Sequence, residues 1–113
     1  MQVLVQFGER PLFGVQLDFG LVLDRRLLAV AAPGQPRAED ASGAIACWAW
    51  GFHRVVDALS DPMHAGWGVD PKRIAAVGHS RNGKTALLAA AFDPRIALAI
   101  PSQAGCGGTA PSR

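Results

Sequence analysis

The sequence predicts an α/β fold, and three observations carry that expectation. Two short, continuously apolar runs, Arg73–Val77 (RIAAV) and Ile96–Ile100 (IALAI), flank an alanine-rich apolar stretch, Lys84–Phe92 (KTALLAAAF). Apolar strand, buried helix, apolar strand is the pattern of a parallel βαβ unit covered on both faces. Upstream, Ile45, Trp48, Ala49, Phe52, Val55, Val56 and Leu59 recur at spacings of three and four, the stripe of an amphipathic helix.

The remaining elements follow in order. Val3–Phe7 and Val15–Leu23 read as short strands punctuated by Gly8, Pro11, Gly14 and Gly20, and Leu27–Ala32 as a buried strand ending at Pro33-Gly34. PGQPRAEDASG is a loop. The amphipathic helix starts near Ser42, with Asp40 or Ser42 as its cap, and stops at Asp61-Pro62. Arg54 and Asp57 fall outside its apolar stripe and are expected in solvent. Met63–Lys72 is a turn-rich connection, Gly78–Gly83 a tight turn, and Asp93-Pro94-Arg95 breaks the second helix before the last strand.

Composition narrows the function. The chain has 113 residues, 50% hydrophobic and 18% charged, the size of one globular domain or a part of one. It is too apolar for a disordered tail, and no apolar run approaches the roughly 20 residues of a membrane helix. Eleven Lys+Arg face nine Asp+Glu for a formal charge of +2, without a basic block, so neither a nucleic-acid nor a membrane partner is expected. Cys47 and Cys106 lack metal-site spacing. The first residues, MQVLVQFGERPLFG, do not read as a secretory signal.

One turn, GHSRNGKT, supports two chemistries. Gly78, Gly83, Lys84 and Thr85 satisfy the phosphate-binding pattern G-x-x-x-x-G-K-[ST], with Lys84 on phosphate and Thr85 on magnesium. The same string reads as a nucleophile elbow. A sharp strand-to-helix turn then exposes the Ser80 hydroxyl, the next backbone N–H receives a developing oxyanion, and the helix N-terminus adds partial positive charge. Gly78 fills the small position two before the serine, while Asn82 stands two after it, with Gly83 one further on. Against phosphate, the interior residues His79, Ser80, Arg81 and Asn82 include no glycine, and IALAIPS offers no Asp for magnesium.

VDPKRIAAVGHSRNGKTALLAAAFDPRIALAIPSQAGCGG, with WAWGFHRVVDAL upstream, resembles the glucuronoyl esterases of carbohydrate esterase family 15. The resemblance runs from Gly43 to Arg113 and leaves residues 1–40 poorly matched. It implies a partial α/β-hydrolase fold, a parallel-sheet core with a nucleophile elbow, within a single truncated domain. It implies hydrolysis of (4-O-methyl-)glucuronic acid esters through a serine acyl-enzyme on a glucuronoxylan-type carbohydrate, without metal or cofactor, in a secreted or periplasmic setting. By resemblance Ser80 is the nucleophile, Arg81 stabilises the oxyanion and Lys84 binds sugar hydroxyls. Gln103 in PSQAG stands where relatives carry an acidic residue in a P-x-E-S-G context, so either the acid comes from another loop or the chain is not competent, and Gln103 is expected as a substrate contact. The catalytic histidine has no counterpart before Arg113, and this chain alone is expected to be inactive. His79 is a poor base because consecutive elbow side chains diverge. His53 is expected as a surface or packing residue, His64 in solvent, and Trp48 in the core. Trp50 and Trp67 are expected to fill core or crevice, with the lining of a carbohydrate surface as the alternative.

Overall fold

The computed structural model describes residues 2–5, 13–16, 36, 39 and 41–110. Strands β1 (Gln2–Val5), β2 (Phe13–Gln16), β3 (Ile74–His79) and β4 (Ile96–Ser102) form one sheet in the order β2-β1-β3-β4. Helix α1 (Ala44–Ser60) and a 3-10 helix (Pro62–Trp67) precede β3, and helix α2 (Arg81–Phe92) joins β3 to β4.

The expected βαβ unit is present. β3 and β4 pair in parallel, with Ile74 opposite Ile96, Val77 opposite Ile100 and His79 opposite Ser102. The sheet as a whole is not the parallel core that was expected. β1 pairs antiparallel with both β2 and β3, placing Gln2 against Gln16 on one side and Val77 on the other. The parallel expectation came from the one crossover between residues 73 and 100; strands before it need no crossover helix and are free to pair antiparallel. β1 and β2 overlap the expected Val3–Phe7 and Val15–Leu23 only in part, each starting before the expected range and ending well short of it. The expected strand at 27–32 lies outside the described residues.

α2 lies against β3 and β4, and α1 lies against α2. Phe52 and Val56 of α1, Ile74 and Ala76 of β3, and Ala86 and Ala89 of α2 join Ala49 and Ile96 in one buried cluster. Alanine at positions 76, 86 and 89 lets the backbones approach, while Phe52 supplies the largest fully buried side chain. Trp48 is buried as the stripe predicts. α1 starts at Gly43 without a side-chain cap, rather than at a capping Asp40 or Ser42.

Two sequence expectations about burial fail. α2 is not apolar-covered all round: Phe92 is 74% and Leu87 38% exposed. β4 is not covered on both faces either, since Leu98 is 55% and Ile100 41% exposed. A continuous apolar run marks what a segment is able to bury, not what stands next to it. Trp50 and Trp67 are also about half exposed rather than filling the core.

The connections are locked by short polar side chains. Asp61 ends α1 in extended conformation, and its Oδ1 accepts the Met63 N–H at 2.8 Å to start the 3-10 helix. His64 is not merely solvated: Nδ1 lies 2.9 Å from Ala58 O and the ring stacks on Trp67 at 4.1 Å. His53 ties α1 to α2 through Nε2 and Ala89 O at 2.9 Å. Beyond α2, buried Asp93 accepts the Arg95 backbone N–H at 3.0 Å and its side-chain Nε at 2.9 Å. Arg95 Nη2 also reaches Asp57 Oδ1 at 2.7 Å, and Asp57 pairs with Arg54 at 2.9 Å. Asp57, expected in solvent, therefore links α1 to the residue just before β4, while Arg54 is exposed as expected.

The Arg95 hydrogen bonds hold the Asp93 carboxyl below its ordinary pKa of 3.8, against the opposing effect of burial. A depressed folded-state pKa contributes stability that is present above the unfolded value and lost as pH falls through the folded one. Asp93→Asn is therefore expected to lower stability by about 1–3 kcal/mol at pH 7. That deficit should shrink as pH drops below the ordinary carboxylate range, as read by urea denaturation of both proteins.

Candidate active site

The turn between β3 and α2 is made by one residue. Ser80 has φ 56 and ψ −124, a backbone conformation that a side chain strongly disfavours. Its N–H donates to Ser102 O at 2.9 Å, continuing the β3–β4 ladder. Its carbonyl accepts from the Gly83 N–H at 2.9 Å and the Lys84 N–H at 3.2 Å, which begins the helix. α2 consequently starts at Arg81, three residues before the expected Lys84. The tight turn expected over Gly78–Gly83 is compressed into Ser80.

The two glycines make room for this bend. A Cβ on Gly78 would lie 2.0 Å from Asn82 O and 2.3 Å from Asn82 C, so helix backbone passes where any side chain would stand. A Cβ on Gly83 would meet Ser102 O at 3.0 Å, Gly78 O at 3.1 Å and Ala104 Cβ at 3.2 Å. The close approach after the serine thus falls at Gly83, which is why Asn82 is tolerated two residues after Ser80.

Ser80 is exposed at the N-terminus of α2, and its hydroxyl makes no capping bond. The Arg81 and Asn82 N–H groups have no partner among the described residues, as expected for the first turn of a helix. The turn therefore sets a free hydroxyl beside free backbone donors at the positive end of a helix dipole. Arg81 is exposed, Lys84 is half-buried one turn along, and neither forms an ion pair among the described residues.

The phosphate-binding alternative finds no support. Thr85, its magnesium ligand, is fully buried and donates its hydroxyl to Arg81 O at 3.1 Å. The Ser80, Gly83 and Lys84 N–H groups are committed to internal carbonyls instead of facing a cradled anion.

Gln103 follows β4 directly, with φ 46, so the parallel register brings it to the edge that carries Ser80. His79 Nε2 lies 2.9 Å from Gln103 Oε1. Sequence reasoning did not find this contact; its only signal was the parallel register that sets residue 79 opposite residue 102. All three histidines of the chain have partners other than Ser80: His53 with Ala89 O, His64 with Ala58 O, and His79 with Gln103. None forms a hydrogen bond to the serine hydroxyl. Cys47 and Cys106 are free thiols.

Ser80, with its positive φ, thus stands between the parallel strand β3 and helix α2. Residues 37–113 match the family model described as glucuronyl esterase, fungi, and the chain belongs to that family. The 4-O-methyl-glucuronoyl methylesterase 1 of Sodiomyces alcalophilus is 51% identical over 69 residues, covering 61% of this chain and 14% of that protein. The 4-O-methyl-glucuronoyl methylesterase of Podospora anserina is 50% identical over 68 residues, covering 60% of this chain and 14% of the relative. Its counterpart from Neurospora crassa is 51% identical over 69 residues, covering 61% and 17%. The match thus spans about one-seventh of the length of the first two relatives.

If the bend is as strained as its dihedrals indicate, Ser80→Gly should raise stability by about 1 kcal/mol. Gly78→Ala should lower it by about 3 kcal/mol or more, through overlap with the Asn82 backbone. Urea denaturation of the two variants against the parent chain checks both signs.

Proposed function

We propose that this chain forms the nucleophile-bearing part of an α/β-hydrolase that cleaves esters of 4-O-methyl-glucuronic acid. The observation that carries the reading is the Ser80 backbone, φ 56 and ψ −124, in a chain of this family. The names of the relatives supply the substrate class. The residues are read as part of one domain of an extracellular enzyme acting on glucuronoxylan-type carbohydrate.

In this mechanism the Ser80 Oγ bonds to the ester carbonyl carbon while a general base takes its proton. The carbonyl oxygen becomes an oxyanion, received by the Arg81 N–H and guanidinium at the positive end of α2. Collapse breaks the bond to the alcohol, which leaves with the proton and gives a glucuronoyl ester of Ser80. Water then repeats the sequence, releasing glucuronic acid and restoring the hydroxyl. Lys84 contributes ammonium donors for sugar hydroxyls, and Gln103 contacts the sugar from the end of β4.

The base is a histidine from outside these 113 residues, because the three within it are engaged elsewhere. Its orienting acid comes from another loop. The amide of Gln103 carries no charge with which to stabilise an imidazolium. By itself the chain has the nucleophile and the oxyanion donors without the proton acceptor.

Hydrolysis of methyl 4-O-methyl-glucuronate by the protein carrying this chain tests the reading. Ser80→Ala should lower kcat by at least about 10³-fold. Arg81→Gln should lower kcat by about 10–10³-fold with a smaller change in KM. Turnover that survives Ser80→Ala, or saturable Mg-ATP binding lost in Lys84→Ala, would overturn it.

A further inference from the structure

Ser80 (φ 56) and Gln103 (φ 46) are the two non-glycine residues with left-handed backbone among the described ones. They end neighbouring parallel strands, joined through the Ser80 N–H and Ser102 O at 2.9 Å. Such conformations persist only where the surroundings over-determine them, and they gather at functional sites. Ser80 is held by its three backbone bonds. What holds Gln103 is different.

Below Gln103 the chain is anchored by Ala104, 1% exposed. Ala104 fills the space above Gly83 and beside Gly108, where an added Cβ would lie 3.2 Å and 2.8 Å from its own. The Gln103 side chain has one partner among the described residues, His79, whose Nε2 lies 2.9 Å from Oε1. A carboxamide oxygen only accepts, so His79 Nε2 bears the hydrogen and donates it. With Oε1 engaged, both N–H donors of the Gln103 carboxamide are without a partner among the described residues.

We propose that His79 is a positioning residue for the Ser80 site. It grips Gln103 Oε1, so Gln103 meets the substrate through its N–H donors rather than its carbonyl. A glutamine side chain is free to turn either end toward a ligand, and a fixed donor on the oxygen removes that freedom. A glucuronate ester presents a carbonyl and a ring oxygen, which only accept, and hydroxyls, which accept as well as donate. A wall of donors at the end of β4 therefore complements it, beside the cations of Arg81 and Lys84. His79 acts through Gln103 and takes no part in proton transfer.

The inference rests on the esterase reading for its kinetic test, but its first measurement does not. In the 113-residue chain, ¹⁵N shifts of the His79 ring should report the Nε2–H tautomer, and Gln103→Ala should move the ring toward a mixture. The Nδ1–H tautomer in the parent chain, or a ring unmoved by Gln103→Ala, would overturn the proposal.

The second measurement is hydrolysis of methyl 4-O-methyl-glucuronate by the protein carrying the chain. His79→Ala should raise KM about 3–10-fold, the worth of one modest hydrogen bond, with kcat within about twofold. His79→Gln, which also offers an N–H at similar reach, should restore KM. Gln103→Ala should match His79→Ala, and the double variant should add nothing further. An unchanged KM in His79→Ala, no rescue by glutamine, or additive losses would overturn the proposal. Turnover retained in Ser80→Ala would instead sink the esterase reading, leaving the ring tautomer to decide the role of His79.

Discussion

The site depends on a single backbone reversal that the surrounding chain holds against its own preference. At Ser80 the strand direction of β3 becomes the helix direction of α2 within one residue, at a conformational cost of about 1–3 kcal/mol. Three backbone hydrogen bonds fix it, one to Ser102 and two from the first turn of the helix. They form because β4 lies parallel to β3 and because α2 packs on both strands through alanine. The buried cluster of Phe52, Val56 and Ile74 thus does more than stabilise a small sheet. It forces strand and helix so close that Gly78 has backbone where a side chain would be.

That constraint also bears on the phosphate-binding reading of GHSRNGKT. A phosphate cradle needs several amide hydrogens turned outward and a hydroxyl free for magnesium. Here the reversal turns the Gly83 and Lys84 amides inward onto Ser80 O, and Thr85 is sunk in the core. Facing outward are the serine hydroxyl, the Arg81 and Asn82 amides, which have no partner among the described residues, and the side chains of Arg81 and Lys84. In the proposed esterase these groups would face charge appearing on a carbonyl oxygen.

Much of this was legible in the sequence, for identifiable reasons. RIAAV and IALAI are continuous apolar runs around an alanine helix, and that pattern pointed to the parallel pairing of β3 and β4 that is present. The three- and four-residue spacing of Trp48, Ala49, Phe52 and Val56 likewise translates directly into the buried face of α1. Exposure was less readable. Phe92, Leu98 and Ile100 are apolar but uncovered, because the identity of a residue says nothing of its neighbours. The helix start at Arg81 was hidden because Asn82 and Gly83 look like turn residues, and only Ser80 makes the turn. The contact between His79 and Gln103 joins residues 24 apart, so it becomes visible only once the register of β3 and β4 is known. Asp57, expected in solvent, gained a partner in Arg95 for the same reason.

The most direct test of the central claim is chemical. The protein carrying this chain would be treated with a serine-directed fluorophosphonate, digested, and the added mass located by mass spectrometry. The account predicts a single covalent adduct on the hydroxyl of Ser80, with loss of ester hydrolysis in proportion to labelling. Hydrolysis that continues while Ser80 stays unmodified, or stops with the adduct on another residue, would contradict it.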